Sequence, residues 1–447
     1  MKKILIISEY FAPNNEIASV RITKLAKYLK LYGYYIGVVS RKMRFYESVD
    51  SVLLKELIYV DEHIVVSESK LFQSISRIFS KQQIINKQTS NHNTSRKSII
   101  KFIFVIIYKI MGLLNIYLKK YFDISYYQTK SYSQKAKKTI KYLCRQYDVI
   151  ITSSGPLSSN VLGLFAKKIN PNILWIADYR DPIINCFPLR KNLFYYNKTI
   201  KEISKNADVI TGVTNSCVEV FKDDFEGDLI TICNGFDKND INNLEEVQSQ
   251  YFSLTYAGTL YKGKSDLSIV FEILCELVKE SRISKKNIIV NYLGNDGTVF
   301  LDQARKYDFE DRCITFGKVN RKKSLEIQMS SHILLLASWN YIGYEGVITG
   351  KFLEYMMINK PIICTVTGNL MNSTIKEMIN NANNGVVWEQ ANDKIDYLIM
   401  KEYIFMQYSR YIEGKPLIFL PNQEYISQFS YDKIIDKFIN IINQNLQ

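Results

Sequence analysis

Residues 345–361 read EGVITGKFLEYMMINKP and follow the apolar run Ile333-Leu334-Leu335-Leu336-Ala337. A short unbroken apolar run is the pattern of a strand buried on both faces, as in a parallel sheet. Gly346 and Gly350 loosen the turn after it, and 351–358 predicts a helix with Phe352, Tyr355 and Met356 towards a core. Asn359 is placed to cap that helix, and Pro361 opens the next strand, 361–366. Strand, glycine-bearing loop, helix and strand make the repeating unit of a doubly wound α/β sheet. The loop joins a strand's carboxyl end to a helix's amino end, where free N–H groups and the positive helix terminus favour an anion. Glu354 lies one turn into the helix, placed to accept hydrogen bonds from a neutral, hydroxylated part of the same ligand. Phosphate together with hydroxyls points to a nucleotide, nucleotide sugars included. An ordinary turn with a solvated glutamate is the simpler alternative.

The same alternation runs outward along the chain. KILIIS at 3–8, a loop at 9–16, an amphipathic helix at 17–31 and a strand at 35–40 make a β-α-β opening. DVIIT at 148–152 is a strand, Pro156 opens the helix 157–168, and the strand 173–177 runs into Asp178-Tyr179-Arg180-Asp181-Pro182. A polar, acidic stretch at 238–250 reads as a linker, and a second half starts with the strand 252–257.

Four motifs resemble those of family 4 glycosyltransferases. GVITGKFLEYMMINKPI is similar to that family's nucleotide-sugar signature, GVxPxKxxEYxAxGKPI. FAPNNEIASVRITKLAKYLK resembles its amino-terminal loop and helix, WIADYRDP its WxxDxRDP segment, and Asn234-Gly235-Phe236-Asp237 its interdomain NGxD. The resemblance implies the GT-B architecture, two Rossmann-like doubly wound domains facing a cleft. It implies an acceptor-side domain at 1–245, a nucleotide-sugar domain at 251–423 and a helix at 424–447 crossing back to the first domain. The activity implied is transfer of a sugar from a nucleoside diphosphate sugar, with retention at the anomeric carbon and without a metal or other cofactor. Glu354 would hold the ribose, and Gly346, Val347, Ile348 and Lys351 would face the diphosphate. The family's sugar-contacting glutamate falls at Gly346, so Glu345, one place earlier, is the candidate for that contact. Thr259 replaces a diphosphate-binding arginine, with Lys264 as the nearby charge, and Lys318 borders the base. Asp181 and Arg180 are the catalytic candidates on the acceptor side, with Asn14 in a loop that lacks the usual glycines. Arg21 would either meet an anionic ligand or lie on a solvated helix face, and WIADYRDP would either line the cleft or be a self-satisfied turn.

Composition narrows the alternatives. The chain has 447 residues, long enough for two domains, and a net charge of +14 that favours anionic partners. No nucleic-acid-binding motif occurs, so nucleic acid is not an expected partner. Seven cysteines without a CxxC pair read as buried free thiols of a reducing cytoplasm, and three histidines offer no metal-ligand spacing. The amino terminus reads as a strand and not as a signal peptide. The most apolar stretch is 99–118; on a helix Lys97, Lys101, Gly112, Asn115 and Lys119 gather in one arc with Lys109 and Lys120 to one side of it, the pattern of a helix lying on an anionic membrane surface. A buried or oligomer-facing helix is the alternative. That position would place the protein on the inner face of the cell membrane, near a glycan or polyprenyl-diphosphate-linked acceptor in surface polysaccharide synthesis. Two other functions fit the same architecture: a UDP-sugar 2-epimerase, which needs acid and base on both faces of the sugar, and a non-catalytic nucleotide-sugar-binding subunit.

Overall fold

The computed structural model describes residues 1–44, 47–68, 124–181, 193–242, 244–261, 263–342 and 348–446. The chain divides into two compact units, Met1–Cys233 with Ile435–Gln447, and Asn234–Ile434.

The first unit runs β1 (Lys3–Ser8), α1 (Ile17–Leu31), β2 (Tyr35–Arg41), α2 (Ser51–Lys55), β3 (Glu62–Val66) and α3 (Ile124–Leu143). It continues with β4 (Val149–Ser154), α4 (Ser158–Ile169), β5 (Leu174–Tyr179), α5 (Leu193–Ser204), β6 (Val209–Gly212), α6 (Asn215–Glu219) and β7 (Asp228–Thr231). The strands form one sheet in the order β3-β2-β1-β4-β5-β6-β7, with every pair parallel. Ile4 to Ile7 and Val149 to Ile151 are fully buried, as apolar runs without alternation require when helices cover both faces.

The second unit runs β8 (Phe252–Ala257), α7 (Ser268–Lys279), β9 (Ile288–Leu293), α8 (Gly297–Arg305), β10 (Cys313–Thr315), α9 (Arg321–Met329) and β11 (Ile333–Trp339). Then come α10 (Gly350–Ile358), β12 (Ile362–Thr367), α11 (Thr374–Ala382), β13 (Gly385–Glu389), α12 (Asp393–Ile412) and α13 (Gln423–Ser427). Its sheet is also wholly parallel, in the order β10-β9-β8-β11-β12-β13. One face packs Phe271, Leu274, Phe300 and Ile404 over β8 and β9; the other packs Phe352, Tyr355, Met356 and Ile379 over β11 and β12. Asn359 ends α10 with φ 62° and ψ 51°, a left-handed cap that asparagine adopts at little cost.

The last helix differs from the single helix expected over 424–447. It is broken into α13 and α14 (Tyr431–Asn445). Phe236 takes the backbone between them, donating to Phe429 O at 3.0 Å and accepting from the Tyr431 N–H at 2.9 Å. That bridge removes two groups a continuous helix would need. The six described cysteines are free thiols. Among the described residues no helix is long and apolar enough to cross a membrane, and the stretch 99–118 lies outside them.

Candidate functional site

In the second unit the chain leaves β8 towards β9 and β10, then returns to β11 beside β8 and proceeds the other way to β12 and β13. The loops after β8 and β11 therefore part to opposite faces of the sheet. The crevice outside two such carboxyl ends is where doubly wound sheets bind ligands. Tyr355 fixes α10 at that point. Its hydroxyl donates to Leu335 O on β11 at 2.9 Å and accepts from the Ala257 N–H on β8 at 3.2 Å. The apolar helix face thus carries one polar bolt across the switch point, and Glu354 stands beside it in sequence.

Glu354 is poised rather than idle. Its side chain is 16% exposed. Oε1 accepts from Lys351 Nζ at 2.8 Å and from Gln328 Nε2 at 2.9 Å. Oε2 has no partner among the described residues. Burial works to raise the carboxyl's pKa. The Lys351 and Arg321 charges, with the hydrogen bonds from Lys351 and Gln328, outweigh it and hold the pKa below the ordinary value. The group is an ionised acceptor with one oxygen held and the other open.

The other donor-side candidates are spread around the same crevice. Ile348 is half-buried just before α10, and Thr349 stands at the cap of α10 without a side-chain cap bond. Glu345, Gly346 and Val347 lie outside the described residues. Thr259 is exposed after β8. Lys264 lies in the loop before α7, with Nζ 5.2 Å from the centre of the Trp339 ring. Lys318 is exposed beyond β10.

In the first unit the switch point lies between β1 and β4. WIADYRDP, at the end of β5 one strand beyond β4, divides into two roles. Asp178, at the end of β5, is fully buried and takes Arg21 Nε at 3.0 Å, Arg21 Nη2 at 2.8 Å and Thr211 Oγ1 at 2.8 Å. Arg21 also donates to Ile232 O at 2.9 Å and Cys233 O at 2.8 Å. Arg21 is thus buried and clamps α1 to the ends of β5 and β7, not solvated on a helix face. Arg180 donates to Gly155 O at 2.9 Å and to Asp181 Oδ2 at 3.0 Å, while the Asp181 side chain remains 49% exposed. Gly155 has φ +112°, which favours glycine, and a Cβ there would lie 2.4 Å from Arg180 Nη2 and push the guanidinium aside. Asn14 is buried within its own loop, donating to Glu47 Oε2 and accepting from the Glu16 N–H, both at 3.1 Å.

Two groups at these switch points have no counterpart in the sequence reading. Gln328, fully buried on α9, orients Glu354; a glutamine in an amphipathic helix gives no local sign of that. Glu9 directly follows β1 and is buried, with Arg41 Nε at 3.3 Å and Ser158 Oγ donating at 2.7 Å. Its position just past a buried strand was the available signal.

Compared by sequence, the chain matches no protein-family model and no curated protein. Compared by structure, it resembles sucrose-phosphate synthase from Thermosynechococcus elongatus, with a TM-score of 0.57 at 12% identity over 100% of this chain and 99% of that one. The chain has the GT-B fold. A similar likeness holds for the lipopolysaccharide outer core galactosyltransferase WaaB, with a TM-score of 0.53 at 14% identity over 99% of both chains. It holds too for an alpha-glucosyltransferase solved with UDP and a 13-mer DNA, with a TM-score of 0.52 at 12% identity over 99% of both chains.

Proposed function

We propose that the chain is a glycosyltransferase that takes its sugar from a nucleoside diphosphate sugar. The observation carrying this reading is the open Oε2 of Glu354, an ionised acceptor beside a helix amino end at the switch point of the second sheet. A ribose diol is the natural partner of such a carboxylate, and a diphosphate the natural partner of the free N–H groups nearby. Two of the structurally similar proteins are named as glycosyltransferases, and one of those holds UDP.

In this reading the bond from the anomeric carbon to the diphosphate breaks, and the acceptor oxygen bonds to that carbon on the same face. The acceptor's proton passes to the departing phosphate oxygen, so no side-chain base is required. Helix N–H groups, already oriented, and the nearby charges of Lys264 and Lys351 stabilise the leaving diphosphate, and no metal enters the reaction. Arg180 and Asp181 serve the acceptor, a glycan or a lipid-linked sugar. The apolar sequence 99–118 brings the protein to an anionic membrane surface where such an acceptor is found.

Incubation with a panel of nucleotide sugars, with and without a polyprenyl-diphosphate-linked acceptor, tests the reading. Free nucleotide should appear only with acceptor. An epimerised donor formed without acceptor would mark a 2-epimerase instead. Donor binding without either product would mark a binding subunit.

A further inference from the structure

The loop after β8 is held by a polar bolt that the donor reading does not use. Gly258 continues the ladder of β8, its N–H donating to Leu293 O on β9 at 2.9 Å. Its carbonyl turns to the same side and meets the Tyr292 hydroxyl at 3.1 Å, the closer of that hydroxyl's two acceptors. Tyr292 Oη in turn accepts from the Asp296 N–H at 3.0 Å. Asp296 Oδ2 accepts from the Leu260 N–H at 3.2 Å, and the Tyr256 hydroxyl donates to Thr259 O at 3.0 Å. The Tyr256 and Tyr292 rings lie parallel, 6.0 Å apart, so both hydroxyls reach the loop from one stack. A Cβ on Gly294 would fall 2.3 Å from Gly258 O, so a side chain at that position would displace this carbonyl.

Peptide planarity turns these contacts into a direction. In a trans peptide the C=O of one residue and the N–H of the next point opposite ways. With Gly258 O drawn towards β9, the Thr259 N–H points away from β9. The neighbour of β8 on that other side is β11, across the switch-point crevice. The Thr259 N–H has no partner among the described residues, and Thr259 is exposed.

We infer that Tyr292 and Asp296 are positioning residues that aim the Thr259 backbone N–H at the donor's diphosphate. This rests on the donor reading above and adds to it: Thr259 contributes a backbone donor where the resembling family uses a side-chain cation. Burial pushes the Tyr292 hydroxyl up to about 12, so it remains a proton donor throughout the neutral range.

The test is calorimetry with UDP, ADP and GDP, each beside its nucleoside, on wild type, Tyr292→Phe and Asp296→Ala. Tyr292→Phe keeps the ring stack and removes only the hydroxyl. Affinity for the diphosphate should fall about fivefold to tenfold, as expected for one misdirected hydrogen bond. Affinity for the nucleoside should hold, since it carries no phosphate. Thermal melts accompany the titrations; should Tyr292→Phe fail to fold, Asp296→Ala carries the test. Unchanged diphosphate affinity in the folded variants would overturn the inference, and so would an equal loss for diphosphate and nucleoside. A wild type that binds none of the diphosphates would overturn the donor reading itself.

Discussion

Replacing Glu354 by alanine separates ligand binding from folding, because its surroundings absorb the loss. Gln328 Nε2 still donates to Ser324 O at 3.0 Å and Ser324 Oγ at 2.8 Å, so no buried donor is orphaned. The Lys351 side chain is 35% exposed and returns to water, so the broken ion pair costs under about 1 kcal/mol. A bound nucleotide loses more. Hydrogen bonds from ribose hydroxyls to an ionised carboxylate are worth about 2 kcal/mol net, which is roughly thirtyfold in affinity. The assay is calorimetry with UDP, ADP and GDP, paired with thermal melts of both proteins. Affinity should fall by that factor while the melt moves little. The pH dependence follows from the depressed pKa. Folded Glu354 titrates below its unfolded value of 4.5, so its contribution is complete above that value and is lost as pH falls through the folded pKa. Wild-type affinity should therefore stay flat in its Glu354 component from about pH 8 down to about pH 5. A Glu354→Ala protein that binds nucleotide as wild type does would refute the reasoning.

Four further outcomes are expected. Asp181→Asn should lower turnover and spare donor affinity; equal loss of donor binding and thermal stability would make that turn structural. Activity should survive excess chelator, and loss on chelation restored by magnesium or manganese would count against a metal-free transfer. Arg21→Met strands the buried Asp178 carboxylate, and chemical denaturation should show a loss of about 3–5 kcal/mol; a change within about 0.5 kcal/mol would mean that the clamp carries little of the fold. Changing Ile107, Ile110 and Leu114 to serine should release the protein from anionic liposomes, and a wild type that never sediments with them would end the membrane proposal.

Much of the fold was legible because a parallel sheet writes itself into the chain. Strands buried on both faces need apolar runs such as KILIIS and ILLLA, and each must be followed by a helix long enough to cross back. Glu354 and Tyr355 were legible for the same reason, since position in the first turns of a helix after a buried strand fixes what a side chain can reach. What escaped depended on contacts between distant residues. Gln328 acts on Glu354 from 26 positions away, and Asp178 meets Arg21 across 157. No periodicity encodes such a pairing.

WIADYRDP shows how far a local pattern can carry a functional argument. Its two carboxylates, Asp178 and Asp181, look equivalent in sequence because both flank one arginine. The pleat sends Asp178 into the sheet, where a buried charge must be paired, and Arg21 and Thr211 satisfy it. Asp181 lies past the strand end, where the chain has left the ladder, and keeps water at half its surface. A carboxylate fully spent on its own protein is poorly placed to meet a substrate. Of the two, only Asp181 is free to exchange its solvent for an acceptor hydroxyl, and Arg180 is the group that would hold it in place while it does so.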